Sequence, residues 1–407
     1  MPPSLMLPQC LGKVFDDLHA ATVPVILRAV DALSAGSWLT LTEIARHWPD
    51  ATHVAAPVKA ADRLLRSAVL KRHRGALYSA MAHWLIRQER PLIVVDWSDL
   101  KADGSFKLLR AGMILRGRTI TLWEEVHPEK VALTVAVEKA FILALASVLP
   151  AGCRPIVMTD AGFRRPWFRA ITAQGWDYVG RLRSNARMQP QSADPADATQ
   201  WVSCADLHAL VSPSQGRDLG AFRLCRTQSL DVRVVLYAAA NKGRHATTAK
   251  GIRRTDTESQ DAARAAREPW VLITSLATQA ASAARIIQLY ARRMTIEESF
   301  RDLKSGALGA GLEHSLTHKR ERLSSLLVLF ALAQFAAWLI GWCEEQGGRG
   351  GRLELQSKPR RRHYSTIRLG MEVLKRPAWW PPKQQLSLFL RRIAKGPLDD
   401  LLNTPLT

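Results

Sequence analysis

The sequence lacks the patterns that mark several common classes of protein. Its five cysteines lie far apart without a C-x-x-C pair, so neither a disulfide framework nor a zinc site of familiar spacing is expected. Its eleven histidines form no H-E-x-x-H motif, and no P-loop indicates ATP binding. The N-terminus carries Asp16 and Asp17 in place of a basic segment followed by an apolar one, so no signal peptide is expected. These absences predict a protein of the reducing cytoplasm.

Acidic residues are scarce relative to basic ones. The 407 residues include 57 Lys and Arg against 36 Asp and Glu, which gives a formal net charge of +21. With 47% hydrophobic and 23% charged residues, the chain otherwise has the composition of an ordinary folded protein. So large a positive charge predicts a polyanionic partner, and nucleic acid is the usual one. An anionic membrane surface is the alternative.

One long stretch has few polar residues. Residues 323–342 carry no charge, and this length meets the criterion for a membrane span. The stretch contains the polar residues Ser324, Ser325 and Gln334, and no second candidate membrane span follows it. We interpret it as a helix buried in the protein core, with a membrane anchor as the alternative.

The order of predicted elements indicates an α/β core between helical regions. Apolar residues recur at helical spacing in residues 1–88, where residues 39–48 resemble the first helix of a helix-turn-helix. Residues 91–182 then predict three strands, a helix, a strand, a helix and a strand. This is the order of a ribonuclease H-like mixed-sheet core. One long helix is predicted over 282–304.

These elements divide the chain into three predicted parts. A helical N-terminal domain covers 1–88, and a helical C-terminal region for support and assembly covers 319–407. Between them, the core covers 89–318 and includes a polar, β-rich insertion at about 184–280.

Two aspartates end short apolar strands of the predicted core. Asp96 ends the run Pro91–Asp96, and Asp160 ends the run Pro155–Asp160. A buried carboxylate is costly unless a cation accompanies it, and carboxylate oxygens suit Mg²⁺ or Mn²⁺. The pattern therefore points to a divalent-metal site, although a strand-end aspartate also commonly caps the next turn.

The predicted helix over 282–304 places charged residues on one face. At 100° per residue, five side chains lie within an arc of about 80°: Tyr290, Arg293, Glu297, Arg301 and Lys304. A separate apolar stripe would anchor the helix. Because Glu298 lies off the charged face, Glu297 is the better candidate ligand. The alternative is a helix surface with ordinary i,i+4 ion pairs.

The same helix matches the pattern Y-x2-R-x3-E-x6-K without a gap at Tyr290, Arg293, Glu297 and Lys304. This pattern resembles the signature of the insertion-sequence-four family of bacterial DDE transposases. The resemblance extends to residues 95–99, 160–163, 268–275 and 365–375. It covers essentially the whole chain.

The resemblance implies that Asp96, Asp160 and Glu297 are the DDE triad and hold two Mg²⁺ ions, or Mn²⁺ in their place. Such ions activate the attacking oxygen and stabilise the leaving oxygen of a phosphoryl transfer. Members of the family nick transposon ends, form and reopen a hairpin, and join the 3′-ends to target DNA. A homodimer on two terminal inverted repeats, bound by the N-terminal domain, is also implied. Neither a membrane nor ATP is required, and the location is the bacterial cytoplasm and its nucleoid DNA.

The resemblance also implies contacts with the DNA of the transposon end. Phosphates would be contacted by Tyr290, Arg293, Arg301, Lys304 and Arg183. Trp270 stands where relatives stack a tryptophan on a flipped base, a task that suits a planar indole. An ordinary core position is the alternative for Trp270. Met294 replaces a second stacking tryptophan of the relatives, which weakens any two-aromatic clamp.

Three other functions stay open at this point. A catalytically inactive copy would bind transposon ends as a repressor, and the intact signature argues against it. A metal-dependent nuclease would use the same carboxylates without strand transfer. A basic membrane-surface protein would use residues 323–342 as its anchor.

Overall fold

The computed structural model describes residues 2–115, 117–183, 186–191, 200–240, 257, 268–307, 309–353 and 364–395. The chain forms two compact units: unit 1 consists of residues 1–155 and 294–407, and unit 2 consists of residues 156–293.

Unit 1 begins with five helices, as the sequence predicts for its first residues. They are α1 (Pro3–Asp16), α2 (Val23–Ser34), α3 (Leu41–Arg46), α4 (Ala55–Arg66) and α5 (Val69–Leu85). The hydroxyl of Thr40 accepts a hydrogen bond from the backbone N–H of Glu43 at 3.2 Å. This N-cap explains why α3, the expected first helix of a helix-turn-helix, begins after Thr40.

Three antiparallel strands follow in unit 1: β1 (Leu92–Asp99), β2 (Phe106–Leu115) and β3 (Arg118–Pro128). Their order is β3-β2-β1, and the helix α6 (Val135–Val148) comes next in the chain. The register pairs Asp96 with Arg110, and Arg110 with Glu124. Residues directly opposite each other on antiparallel strands share a face, so these three charged residues form one row across the sheet.

Unit 2 contains a mixed sheet with seven strands among the residues described. They are β4 (Ile156–Thr159), β5 (Asp177–Leu182), β6 (Arg187–Pro190), β7 (Val202–Ser203), β8 (Gly216–Leu224), β9 (Leu230–Tyr237) and β10 (Trp270–Thr274). Their order is β4-β5-β10-β9-β8-β6-β7, in which β4 and β5 are parallel and the other neighbours are antiparallel. The helices are α7 (Arg165–Ala173), α8 (Cys204–His208) and α9 (Ala283–Ala291).

The predicted continuous helix over 282–304 is wrong. The helix α9 ends at Ala291, a 3₁₀ turn covers Arg292–Met294, and α10 (Thr295–Lys304) begins after the turn. A 3₁₀ turn advances about 120° per residue, so the helical wheel of α9 does not continue into α10. The predicted single face of five residues is therefore divided at this turn.

Unit 1 resumes with α10, α11 (Arg320–Gln346), α12 (Thr366–Leu374) and α13 (Lys383–Lys395). The apolar run of the sequence lies in α11, which by length and composition could cross a membrane. However, 94% of its most apolar stretch is buried inside the protein. This burial favours the core helix over the membrane anchor.

Two glycines let α11 and α12 pack with their backbones in close approach. A Cβ atom on Gly370 would lie 1.7 Å from the carbonyl oxygen of Ala337, and one on Gly341 would lie 1.9 Å from that of Thr366. No side chain fits at either distance, so both positions require glycine. This packing accounts for Gly370 in the 365–375 segment, which the sequence alone links only to a family resemblance.

Candidate active site

Asp96 is buried in unit 1, within β1 rather than at its end. Its side chain is 8% exposed, and its Oδ1 accepts the backbone N–H of Trp97 at 2.9 Å. The strand continues to Asp99. Side chains alternate along a strand, so Ser98 lies on the same face as Asp96.

Lys304 connects the end of α10 to β1 through two hydrogen bonds. Its Nζ donates to the Ser98 hydroxyl at 3.0 Å and to the Asp99 carbonyl oxygen at 3.2 Å. Burial lowers the pKa of Lys304, and the Asp99 carboxylate opposes that shift. An ammonium group has three N–H donors, of which these contacts use two.

Glu297 lies in the first turn of α10, and its side chain is exposed. Glu297, Arg301 and Lys304 are spaced i, i+4 and i+7, so they still share one face of this helix. The Arg301 guanidinium donates to both carboxylate oxygens of Glu298, at 2.8 and 2.7 Å. Within unit 1, Lys304 therefore joins the helix that carries Glu297 to the strand that carries Asp96, while Arg301 pairs with Glu298.

Asp160 lies in unit 2, in the turn that follows β4. Its Oδ1 accepts the backbone N–H of Gly162 at 2.8 Å, so Asp160 caps its own turn. A Cβ atom at Gly162 would lie 3.1 Å from the same oxygen, so a larger residue there would have to displace the carboxylate slightly. The turn therefore fixes the carboxylate within its own loop.

Trp270 and Tyr290 belong to one aromatic cluster in unit 2. Their rings meet edge to face with centroids 5.0 Å apart, and the Trp270 and Tyr237 centroids lie 5.2 Å apart. Trp270 is partly exposed, whereas Tyr290 is buried. Trp270 is thus a packed strand residue with part of its side chain at the surface. This position is compatible with base stacking and with an ordinary core position.

Two arginines, Arg293 and Arg181, lie close enough to Tyr290 to act on its hydroxyl. Burial raises the pKa of Tyr290, Arg293 and Arg181 lower it, and the Asp160 carboxylate raises it further. The Arg293 guanidinium lies 5.9 Å from the centre of the Tyr290 ring. Arg183 is exposed directly after β5, where the sequence predicts it. These charges place Asp160 and the arginines in the same electrostatic neighbourhood of unit 2.

Sequence reasoning missed Arg181. Its side chain is buried in β5, and one of its nitrogens donates to the Glu268 carbonyl oxygen at 3.3 Å. Burial lowers the pKa of Arg181, and the neighbouring Arg183 lowers it further. The available signal was a lone arginine inside a short buried strand, because an isolated buried cation needs an anion or a hydrogen-bond acceptor.

The three candidate carboxylates can be compared with the ligand preference of divalent metal ions. No group of three or more His, Cys, Asp or Glu side chains in the described parts of the chain is arranged to hold a metal ion. Asp96, Asp160 and Glu297 offer only carboxylate oxygens, which match the preference of Mg²⁺ and Mn²⁺ for hard ligands. The three carboxylates therefore fit such ions by their chemistry.

One comparison with known proteins bears on this site. The family model described as a transposase DDE domain matches residues 87–335, which is more than half of the chain. No curated protein sequence matches the chain.

Proposed function

This chain belongs to the DDE transposase family, and we propose that it is a cut-and-paste transposase of the insertion-sequence-four family. Within that family, its residues resemble the transposase of the insertion sequence that flanks a tetracycline-resistance transposon. The observation that carries the proposal is the extent of the family match. Residues 87–335 include every candidate site residue: Asp96, Asp160, Arg183, Trp270, Tyr290, Arg293, Glu297, Arg301 and Lys304.

We propose that Asp96, Asp160 and Glu297 hold two Mg²⁺ ions, or Mn²⁺ in their place. When bound, such ions supply an activated oxygen nucleophile and stabilise the leaving oxygen of a phosphoryl transfer. Asp96 is suited to this role because its strand is tied to α10 by the contact between Lys304 and Ser98. Asp160 is suited because its turn holds the carboxylate through Gly162.

The basic residues would bind the DNA phosphates at the transposon end. In unit 2, Arg293 and Arg181 act on the buried Tyr290, and Arg183 acts on Arg181. Guanidinium groups are well shaped for phosphate oxygens. In unit 1, the third N–H of Lys304 would serve the same purpose, and Arg301 would add to it. Trp270 would stack on a base displaced from the duplex.

The larger organisation is part of the proposal. The order β1-β2-β3-α6-β4-α7-β5 along the chain supports a ribonuclease H-like core. The helices α1–α5 would bind the terminal inverted repeat, and the C-terminal helices would support assembly as a homodimer on two ends. The net charge of +21 supports DNA as the partner, in the bacterial cytoplasm and without ATP.

A joining assay tests this function and separates it from its alternatives. The purified protein is mixed with Mg²⁺, target plasmid and a labelled duplex that carries the terminal repeat found beside its gene. We expect nicked, hairpin and joined products, all lost in Glu297→Gln and retained in the exposed control Glu129→Gln. Cutting without joining favours the nuclease, and a duplex that is bound but never cut favours the repressor.

A further inference from the structure

A chain of buried hydrogen bonds connects four elements of unit 1. The Tyr78 hydroxyl, on α5, donates to the Oε1 of Glu124 on β3 at 2.7 Å. The Nε of Arg110, on β2, donates to the Oε2 of Glu124 at 2.8 Å, and its Nη2 forms an ion pair with the same oxygen at 2.6 Å. Its Nη1 also donates to the hydroxyl of Ser299 on α10 at 3.1 Å. We call these four side chains the buried relay.

The relay is sealed from water. Tyr78 and Arg110 are 0% exposed, Glu124 is 2% exposed and Ser299 is 1% exposed. Burial and the Glu124 carboxylate raise the pKa of Tyr78 well above its ordinary value, so its hydroxyl remains a donor. In such surroundings each hydrogen bond is strong, and each has a narrow range of favourable geometry.

Stability alone is a poor explanation for these charges. A buried ion pair gains little over apolar residues of similar volume, because two charges must first leave water. Directed hydrogen bonds, in contrast, fix both distance and orientation, and Arg110 makes one to Glu124 through Nε and one to Ser299 through Nη1. Arg110 therefore contributes geometry that apolar packing does not supply.

The geometry that the relay sets is that of the catalytic elements. Arg110 is the direct cross-strand partner of Asp96 and lies on the same face of the sheet. Through Nη1 it holds Ser299, two residues after Glu297 and on the side of α10 that faces the protein. The same guanidinium lies 5.4 Å from the centre of the Phe300 ring.

We propose that the buried relay positions α10, and with it Glu297, relative to the strand that carries Asp96. Arg110 and Ser299 are thus positioning residues, and this inference rests on the proposed catalytic role of the two carboxylates. A relay that holds α10 from its buried side, while Lys304 holds its end, limits both rotation and sliding of the helix.

The sharpest variant is Ser299→Ala, which removes one hydroxyl and leaves the ion pair intact. Its matched control is Ser325→Ala, another buried serine whose hydroxyl binds only to the Glu321 carbonyl oxygen of its own helix among the contacts described. Both variants are compared with wild type in thermal unfolding and in binding of the transposon-end duplex in EDTA. We expect neither measurement to separate Ser299→Ala from its control.

Two measurements are decisive. One is the rate of single-turnover nicking in Mg²⁺, and the other is the affinity for Mn²⁺, monitored by the electron paramagnetic resonance signal of the ion. We expect Ser299→Ala to nick about tenfold more slowly at unchanged final yield, since a misplaced catalytic group slows the step itself. Mn²⁺ binding should weaken in Ser299→Ala and stay at the wild-type level in Ser325→Ala.

Two outcomes would overturn the inference. In the first, Ser299→Ala has the nicking rate and the Mn²⁺ affinity of wild type. In the second, Ser299→Ala loses final yield at an unchanged rate, which marks partial unfolding. If wild type itself fails to nick, the proposed function fails. In that case the Mn²⁺ comparison still decides the inference, because it requires no cleavage.

Discussion

The Lys304 ammonium group donates to the Ser98 hydroxyl at 3.0 Å, and this contact joins α10 to β1. Lys304 shares a face of its helix with Glu297, and Ser98 shares a face of its strand with Asp96. The hydrogen bond therefore fixes the elements that carry two of the three proposed catalytic carboxylates. Lys304, a residue of the transposase signature, therefore has a hydrogen-bond partner within the protein itself.

Because Lys304 binds Ser98 and is also proposed to bind DNA, its role can be tested through the salt dependence of DNA binding. If Lys304 also contacts a DNA phosphate, Lys304→Met should weaken end binding and make the slope of log K against log salt less negative by about 0.9. The exposed Lys139→Met removes the same charge from α6 and should leave the slope unchanged. Weaker binding at an unchanged slope would show that Lys304 acts only through Ser98.

The aromatic cluster makes a separate prediction for Trp270. Trp270→Ala should impair hairpin formation more than the first nick, because only the hairpin step needs a stacked, displaced base. Trp270→Phe retains a ring for Tyr237 and Tyr290 to contact, and should recover folding but only part of the hairpin yield. Quantified nicked and hairpin products provide the measurement. Equal loss of both steps in Trp270→Ala would favour a role in core packing alone.

The turn that holds Asp160 predicts a sensitivity at Gly162. A methyl group there would lie 3.1 Å from Asp160 Oδ1 and would displace the carboxylate by a few tenths of an ångström. We expect Gly162→Ala to slow nicking by about tenfold, since catalysis is steeply sensitive to misplaced groups. Gly351→Ala has open space around its methyl group and is the matched control. Wild-type rates in Gly162→Ala would mean that this position of Asp160 is unimportant for cutting.

Asp302 predicts a dependence of stability on pH. Burial raises the pKa of Asp302 above its ordinary value of 3.8, although the Arg118 guanidinium, 2.8 Å away, lowers it. A raised pKa in the folded state contributes stability below the unfolded-state pKa, and this contribution is lost as pH rises through the folded-state pKa. The free energy of unfolding of wild type relative to Asp302→Asn should therefore fall as pH rises from 3.8 through that raised pKa. Urea unfolding of both proteins across this pH range measures the difference in their free energies of unfolding. A difference that grows with pH contradicts the raised pKa of Asp302.

The sequence predicts the central elements well because their signals are local. Apolar β-branched runs predicted β1 and β4, a further strand was predicted at β5, and helical spacing predicted a helical region over residues 1–88 and the helix α6. The dilution of residues 323–342 by Ser324 and Gln334 favoured a core helix, and the burial of α11 agrees. Periodicity reports these features because each depends on residues close together in the chain.

The sequence could not predict features that depend on distant residues. The helical wheel extended through Arg292–Met294, where the structure has a 3₁₀ turn. No glycine or proline in this segment signals the break in the sequence. The pairing of Arg110 with Glu124 arises from strand register and with Ser299 from helix packing, and neither leaves a local signal. Arg181 did leave a local signal, a lone arginine inside a short apolar strand, but its acceptor, the Glu268 carbonyl oxygen, lies far away in the sequence.

The most direct test of the catalytic account is nicking of the labelled terminal-repeat duplex in Mg²⁺ and in EDTA, by wild type, Asp160→Asn and the exposed control Asp231→Asn. We predict nicking in Mg²⁺ by wild type and Asp231→Asn, none in EDTA, and none by Asp160→Asn although it still binds the duplex. Nicking by Asp160→Asn at the wild-type rate, or nicking by wild type in EDTA, would contradict the proposed metal-dependent DDE site.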